Sequence, residues 1–221
     1  MTNQYNLTVI NKSELRNPTF AVFATLPGMS SNESIALAWL IQQINRNNQY
    51  RFTWNITWEF IWASQGTAKG YQWNGSGTLP ANPLSTSACS AQFDYNGDFQ
   101  LLPQEGVPDG SHLQITDSPR IPRPSVKPSS VGLTLDGKAI CAIDAGPNLE
   151  QTFTLHPTYY INAGNYVAGQ MVDVDSVTSF QKLVYSGTNT ALTATLNPDN
   201  TWSVVASDSI DYSRVLEPAM A

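Results

Sequence analysis

From Tyr50 to Trp62 the chain alternates in character: Tyr50, Phe52, Trp54, Ile56, Trp58, Phe60 and Trp62 fall on one parity, Arg51, Thr53, Asn55, Thr57, Glu59 and Ile61 on the other. A period of two is the mark of a β-strand with one face in a core. At about 3.3 Å per residue this segment would reach roughly 40 Å, longer than ordinary strands. It must therefore bend, carry a bulge or serve both sheets of a sandwich. Its spacing makes Trp54, Trp58 and Trp62 core before ligand platform, and leaves Arg51, Thr53, Asn55, Thr57 and Glu59 pointing away from the core.

The rest of the chain repeats this on a shorter scale. Alternating runs such as Tyr5-Leu7-Val9, Phe20-Val22-Ala24 and Leu192-Ala194-Leu196 are separated by turn residues. Asn96-Gly97, Asp109-Gly110 and Asp136-Gly137 favour tight turns, and Asp136-Gly137 joins two runs as a hairpin. Pro119, Pro122, Pro124 and Pro128 make the stretch from Asp117 to Ser130 a stiff connection, since proline cannot serve a central strand. One helix is expected, capped by Ser31 or Asn32 and running to Ile44, with Leu37, Leu40, Ile41 and Ile44 on one face. The expected fold is all-β: a two-sheet antiparallel β-sandwich, with a jelly roll as one form of it, and one short helix. Residues 1–206 form a single domain in this reading and 207–221 a loosely attached tail.

Charge narrows the function. Charged residues are 13% of the 221 and the net charge is −6, which disfavours nucleic acid and anionic membranes as partners, because both draw affinity from clustered Lys and Arg. No run of about 18 apolar residues is present to cross a bilayer as a helix. The first residues lack a basic, then apolar, secretory leader, so the expected place is the cytoplasm, or release without a recognisable signal peptide. Cys89 and Cys141 lie far apart with no metal-ligand spacing and read as two buried thiols, with a disulfide as the alternative.

Catalytic motifs are missing: His112 and His156 are the only histidines, and neither a nucleophile elbow nor a phosphate loop occurs. No cofactor or metal is expected. A hydrolase using carboxylates such as Glu59, Asp94 or Asp98 remains an alternative, because two carboxyl groups leave little trace in a sequence. Asp94, Asn96 and Asp98 also have the alternate-oxygen look of part of a calcium loop, although the distal glutamate of such a loop is missing and a hairpin explains the same residues. Among the aromatic residues, Trp73 and Trp202 lie beside loop or turn residues and are the candidates for a lectin-like platform.

Several blocks together resemble a known family. Leu7-Thr8-Val9-Ile10-Asn11-Lys12-Ser13, Ala36-Leu37-Ala38-Trp39, the run Phe52 to Trp62 followed by Gly66, and Pro147 through Ile161 to Gly164-Asn165-Tyr166 and Gly169 resemble the RhiA-like proteins. The resemblance implies a small soluble microbial protein, linked with host-plant or community settings, whose biochemical activity is not established. It supplies no catalytic residues; Asn165 and Tyr166, which match its pattern, are either site residues or a turn. The expected function is non-enzymatic recognition or self-association, with itself or a glycan as partner and Trp73, Trp202, Asn165 and Tyr166 as candidate ligand contacts.

Overall fold

A computed structural model describes residues 4–27, 35–172 and 180–207. Along the chain the strands are β1 (Gln4–Asn11), β2 (Thr19–Thr25), β3 (Ile35–Leu37), β4 (Leu40–Gln43), β5 (Gln49–Asn55), β6 (Trp58–Ala63), β7 (Gly77–Ala81), β8 (Ser90–Tyr95) and β9 (Phe99–Gln104). They continue as β10 (His112–Asp117), β11 (Ser130–Leu135), β12 (Lys138–Asp144), β13 (Glu150–Thr154), β14 (Thr158–Gly164), β15 (Met171–Val172), β16 (Gln181–Leu183), β17 (Ala191–Leu196) and β18 (Trp202–Ala206).

These strands make four sheets, ordered β18-β17-β1-β5, β16-β14-β2-β4, β15-β3-β12-β11-β6-β7 and β13-β10-β8-β9. Pairing is antiparallel except for β1 with β17 and β8 with β10. Aromatic contacts show which sheets face each other. Trp54 and Tyr5 reach Tyr159 at 5.2 and 6.0 Å, and Phe20 meets Trp202 edge-on at 6.0 Å, so the β1 sheet faces the β2 sheet. Trp62 lies 6.0 Å from Phe93 and 5.8 Å from Phe99, so the six-stranded sheet faces the β8 sheet. The sandwich expectation holds, with two facing pairs of sheets in place of two single sheets.

The long aromatic run breaks at Ile56 and Thr57 and contributes β5 to one sheet and β6 to another. Trp54 and Phe60 are fully buried in one continuous core spanning both pairs, and Trp58 is 8% exposed. The break also divides the opposite face: Arg51 and Thr53 are exposed on the edge of the β1 sheet, whereas Glu59 accepts the Thr134 hydroxyl at 3.1 Å on the six-stranded sheet. Those side chains do not form one surface.

The expected helix is absent: β3 and β4 occupy Ile35–Leu37 and Leu40–Gln43, and no α-helix occurs among the described residues. Ser31 and Asn32, its expected cap, lie outside the described residues, as does the expected tail beyond Ser207. The reason is burial on both faces. Trp39 and Leu40 enter the main core, Leu37 packs with Ile61, Trp73 and Met171, and Ala38 packs with Ala21 and Phe23. A strand covered on both sides reads as an unbroken apolar run, which periodicity cannot tell from a helix.

Cys89, just before β8, and Cys141, on β12, are free buried thiols, and burial pushes Cys141 up to about 12. Among the described residues no helix is long and apolar enough to cross a membrane.

Candidate recognition surface

The β6–β7 loop and the β14–β15 loop come together over the outer face of the six-stranded sheet. Their backbones are zipped: Trp73 N–H donates to the Gly169 carbonyl at 2.8 Å, Met171 N–H to the Tyr71 carbonyl at 2.8 Å and Gly70 N–H to the Met171 carbonyl at 2.8 Å. Gln72 adds a side-chain bond, its Nε2 donating to the Ala168 carbonyl at 2.9 Å. Gly169 adopts φ +74°, and a Cβ there would stand 2.6 Å from the Trp73 carbonyl oxygen, so this seam admits only glycine.

Within the seam Tyr71 and Gln72 are exposed and Trp73 is buried. Trp73 turns inward, 3% exposed, and packs with Ile61, Ala142 and Met171; its indole N–H donates to Ser130 Oγ at 2.7 Å. Its face is not available to a ligand, which corrects the expectation of Trp73 as a contact residue. Tyr71, two residues earlier, turns outward and is 70% exposed. Asn165 and Val167 are exposed on the neighbouring loop. Tyr166 is half-buried, its ring edge-on to Phe23 at 5.4 Å and its hydroxyl accepting from Asn162 Nδ2 at 2.9 Å; burial raises that hydroxyl above the ordinary tyrosine value. Trp202 lies apart from this seam, on β18, partly buried against Phe20. The structure thus sets Trp73 in the seam, puts Asn165 and Tyr166 on the other loop with Tyr166 packed against Phe23, leaves Trp202 elsewhere, and adds the exposed Tyr71.

A family model described as RhiA matches residues 2–207. The chain is 31% identical over 205 residues to "Protein RhiA" of Rhizobium leguminosarum bv. viciae, covering 91% of this chain and 86% of that protein. The chain belongs to the RhiA family. No solved structure matches it. The family match includes both loops of the seam.

Elsewhere in this RhiA-family chain the other candidate chemistry is dispersed. Asp94 is fully buried and spends its oxygens on Ser118 Oγ, at 2.5 Å, and on the Arg120 guanidinium. Burial would raise its carboxyl, but hydrogen bonds from Ser118, Arg120 and the Tyr95 backbone, with the Arg120 charge, hold it below the ordinary carboxylate value. Asn96 and Asp98 close the β8–β9 hairpin through a backbone bond of 3.0 Å, and no group of three His, Cys, Asp or Glu side chains gathers to hold a metal among the described residues. The hydrolase geometry is likewise unmet by the pair Glu59 and Asp94. Each faces away from the core on its own strand, on sheets that pack against each other, so the two carboxyls lie on opposite sides of the sandwich.

His112 meets Asp109 Oδ2 at 2.5 Å and Ser111 Oγ at 3.0 Å, but both at Nδ1. A nucleophilic relay needs the acid on one ring nitrogen and the hydroxyl on the other. This knot is a loop lock: Asp109 Oδ1 accepts the Ser111 and His112 backbone N–H groups, each at 2.8 Å. The Ser111 backbone bond and the His112 ring are the chief reasons its carboxyl sits well below the usual range. The clefts among the described residues are shallow and include one of about 370 Å³ lined by His112, Gln114 and Thr152 and another of about 440 Å³ lined by Thr57, Asn82 and Leu84.

Proposed function

We propose that this RhiA-family chain acts by non-enzymatic recognition, in a microbial host or community setting, and that its partner is a saccharide-like surface met by the Tyr71 seam. The observation carrying this reading is an exposed aromatic ring on a rigid mount. Tyr71 is 70% exposed, yet its backbone is held at both ends, its carbonyl accepting the Met171 N–H at 2.8 Å and its N–H donating to the Ala68 carbonyl at 3.2 Å. A ring held in place pays little ordering cost on binding and offers both an apolar face and a hydroxyl. Gln72 and Asn165 put amides on the same pair of loops, suited to hydroxyl groups.

The test is a glycan array probed with the intact protein, followed by titration of any ligand found. Tyr71→Ala should weaken that binding by tenfold or more, about 1.4 kcal/mol, as removal of a central aromatic contact does. Its melting temperature should stay within a degree or two, because the ring covers no core. A silent array, or unchanged affinity in the variant, counts against the reading.

A second reading is self-association through β18. This edge strand, Trp202-Ser203-Val204-Val205-Ala206, carries neither charge nor proline, the usual guards of an open edge, and Val205 is 47% exposed. If β18 pairs between copies, light scattering at micromolar concentration will show a dimer or larger species, and Val205→Lys will return it to monomer. A monomer in the unmodified protein removes this reading.

A further inference from the structure

The β10–β13 pair ends in a buried acid. Asp117 closes β10 at 1% exposure, and its backbone N–H donates to the Leu149 carbonyl at 2.8 Å. Its Oδ2 accepts twice, from Gly146 N–H at 2.9 Å and from Gln151 Nε2 at 3.0 Å. Its other oxygen, Oδ1, is buried without a partner, and so is Gln151 Oε1. A carboxylate oxygen and an amide oxygen can only accept, so two such atoms beside an existing N–H···O bond cannot satisfy each other while the acid is ionised. Burying both without partners is costly. One proton resolves both: an Oδ1–H donating to Oε1 completes the two-bond ring of an acid–amide pair.

We propose that Asp117 is held as a neutral acid paired with Gln151, and that this proton makes the junction of β10, β13 and the 145–149 turn a pH-sensitive latch. Burial pushes the carboxyl up to about 6, against the pull of the Gly146 and Gln151 hydrogen bonds. Charged groups on the elements around it are engaged elsewhere. Asp94 on β8 holds Arg120, Glu150 on β13 accepts from Gln114, Asp144 on β12 accepts from Thr67 N–H, and Lys127 lies over the Tyr95 and Phe99 rings. Arg123 is exposed, and His112 at the far end of β10 faces Asp109. None of them shifts Asp117, whose change comes from burial and hydrogen bonds.

The sign follows from proton counting. Between the ordinary value of 3.8 and about 6 the folded chain keeps a proton that the unfolded chain has released, so stability falls as pH rises through that window. The loss amounts to about a hundredfold in the unfolding equilibrium constant and is complete above it.

Asp117→Asn is the decisive variant, because an asparagine supplies the missing N–H permanently: its amide nitrogen can donate to Gln151 Oε1 while its oxygen keeps both existing bonds. Urea unfolding from pH 4 to 8 should find the two proteins similar near pH 4 and the variant tens of times harder to unfold at pH 7.5. Every other ionisable group is common to both proteins and cancels in the comparison. A variant at or below the parent's stability at pH 7.5 overturns the proposal. Should the variant not fold, carboxyl NMR of the unmodified protein decides it: a midpoint for Asp117 at or above 5 supports the latch, and one below 5 overturns it.

Discussion

Trp54→Ala should remove about 3–5 kcal/mol of stability, a large part of what a domain of this size has in total. The ring is completely buried and is the hub of an aromatic knot: Tyr5 stacks on it at 5.8 Å, Trp39 meets it edge-on at 5.3 Å, and Tyr159 and Tyr185 close the other sides at 5.2 and 5.9 Å. The loss is chiefly one of packing and cavity, because aromatic rings surround the indole. Four rings packed around one cannot all collapse inward to refill the space. Urea denaturation followed by circular dichroism should show the midpoint fall, and the melting temperature should drop by roughly 10 °C. A loss under 1 kcal/mol would mean that the knot relaxes freely and is not the rigid joint between β1, β5 and β14.

Gly132→Ala should be nearly as damaging although it adds one methyl group. Gly132 pairs with Ala142 beside a bulge, where Leu133 pairs with Cys141 but Thr134 with Ala139, leaving Ile140 extra. The bulge swings the Cys141 carbonyl inward, so a Cβ on Gly132 would lie 2.0 Å from that oxygen. No flexible side chain can yield there; a buried backbone must move, and β11 is buried along its whole length. Overpacking of this kind costs about 3 kcal/mol, toward the upper end for such changes. Gly137→Ala, whose Cβ would meet nothing within 4 Å at φ +72°, is the control for backbone conformation alone and should cost about 1 kcal/mol. Equal losses in the two variants would show that the close approach at Gly132 relaxes.

Much of the architecture was legible because a half-buried strand writes its burial into the sequence at every second residue. Phe52, Trp54, Trp58 and Phe60 are core as their spacing requires, and Asp136-Gly137 does turn β11 into β12. What was not legible traces to one cause, the cover on the outer faces of the β2 and six-stranded sheets. That cover buries Leu37 and Ala38 on the side a simple sandwich would leave wet, which made a bent strand resemble a helix. It also buries Trp73, which sits in a loop rich in glycine and serine and so looked exposed. The Asp117–Gln151 pair left no trace, because nothing in the sequence places a residue at the end of one strand beside a residue on a strand more than thirty positions on.

The parallel pairing of β1 with β17 sets Asn6 against Ala191 and Asn11 against Leu196. During synthesis the ribosome delivers these partners far apart in time, on the order of 10–40 s at ordinary elongation rates. Until β17 emerges, β1 has only β5 beside it and keeps a bare backbone flank, the kind of template on which nascent chains cross-pair. Native closure is therefore a late, long-range event with a high entropic threshold. Premature release of the polypeptide, anywhere before Ala191, would leave an unfinished sheet for chaperones to shield.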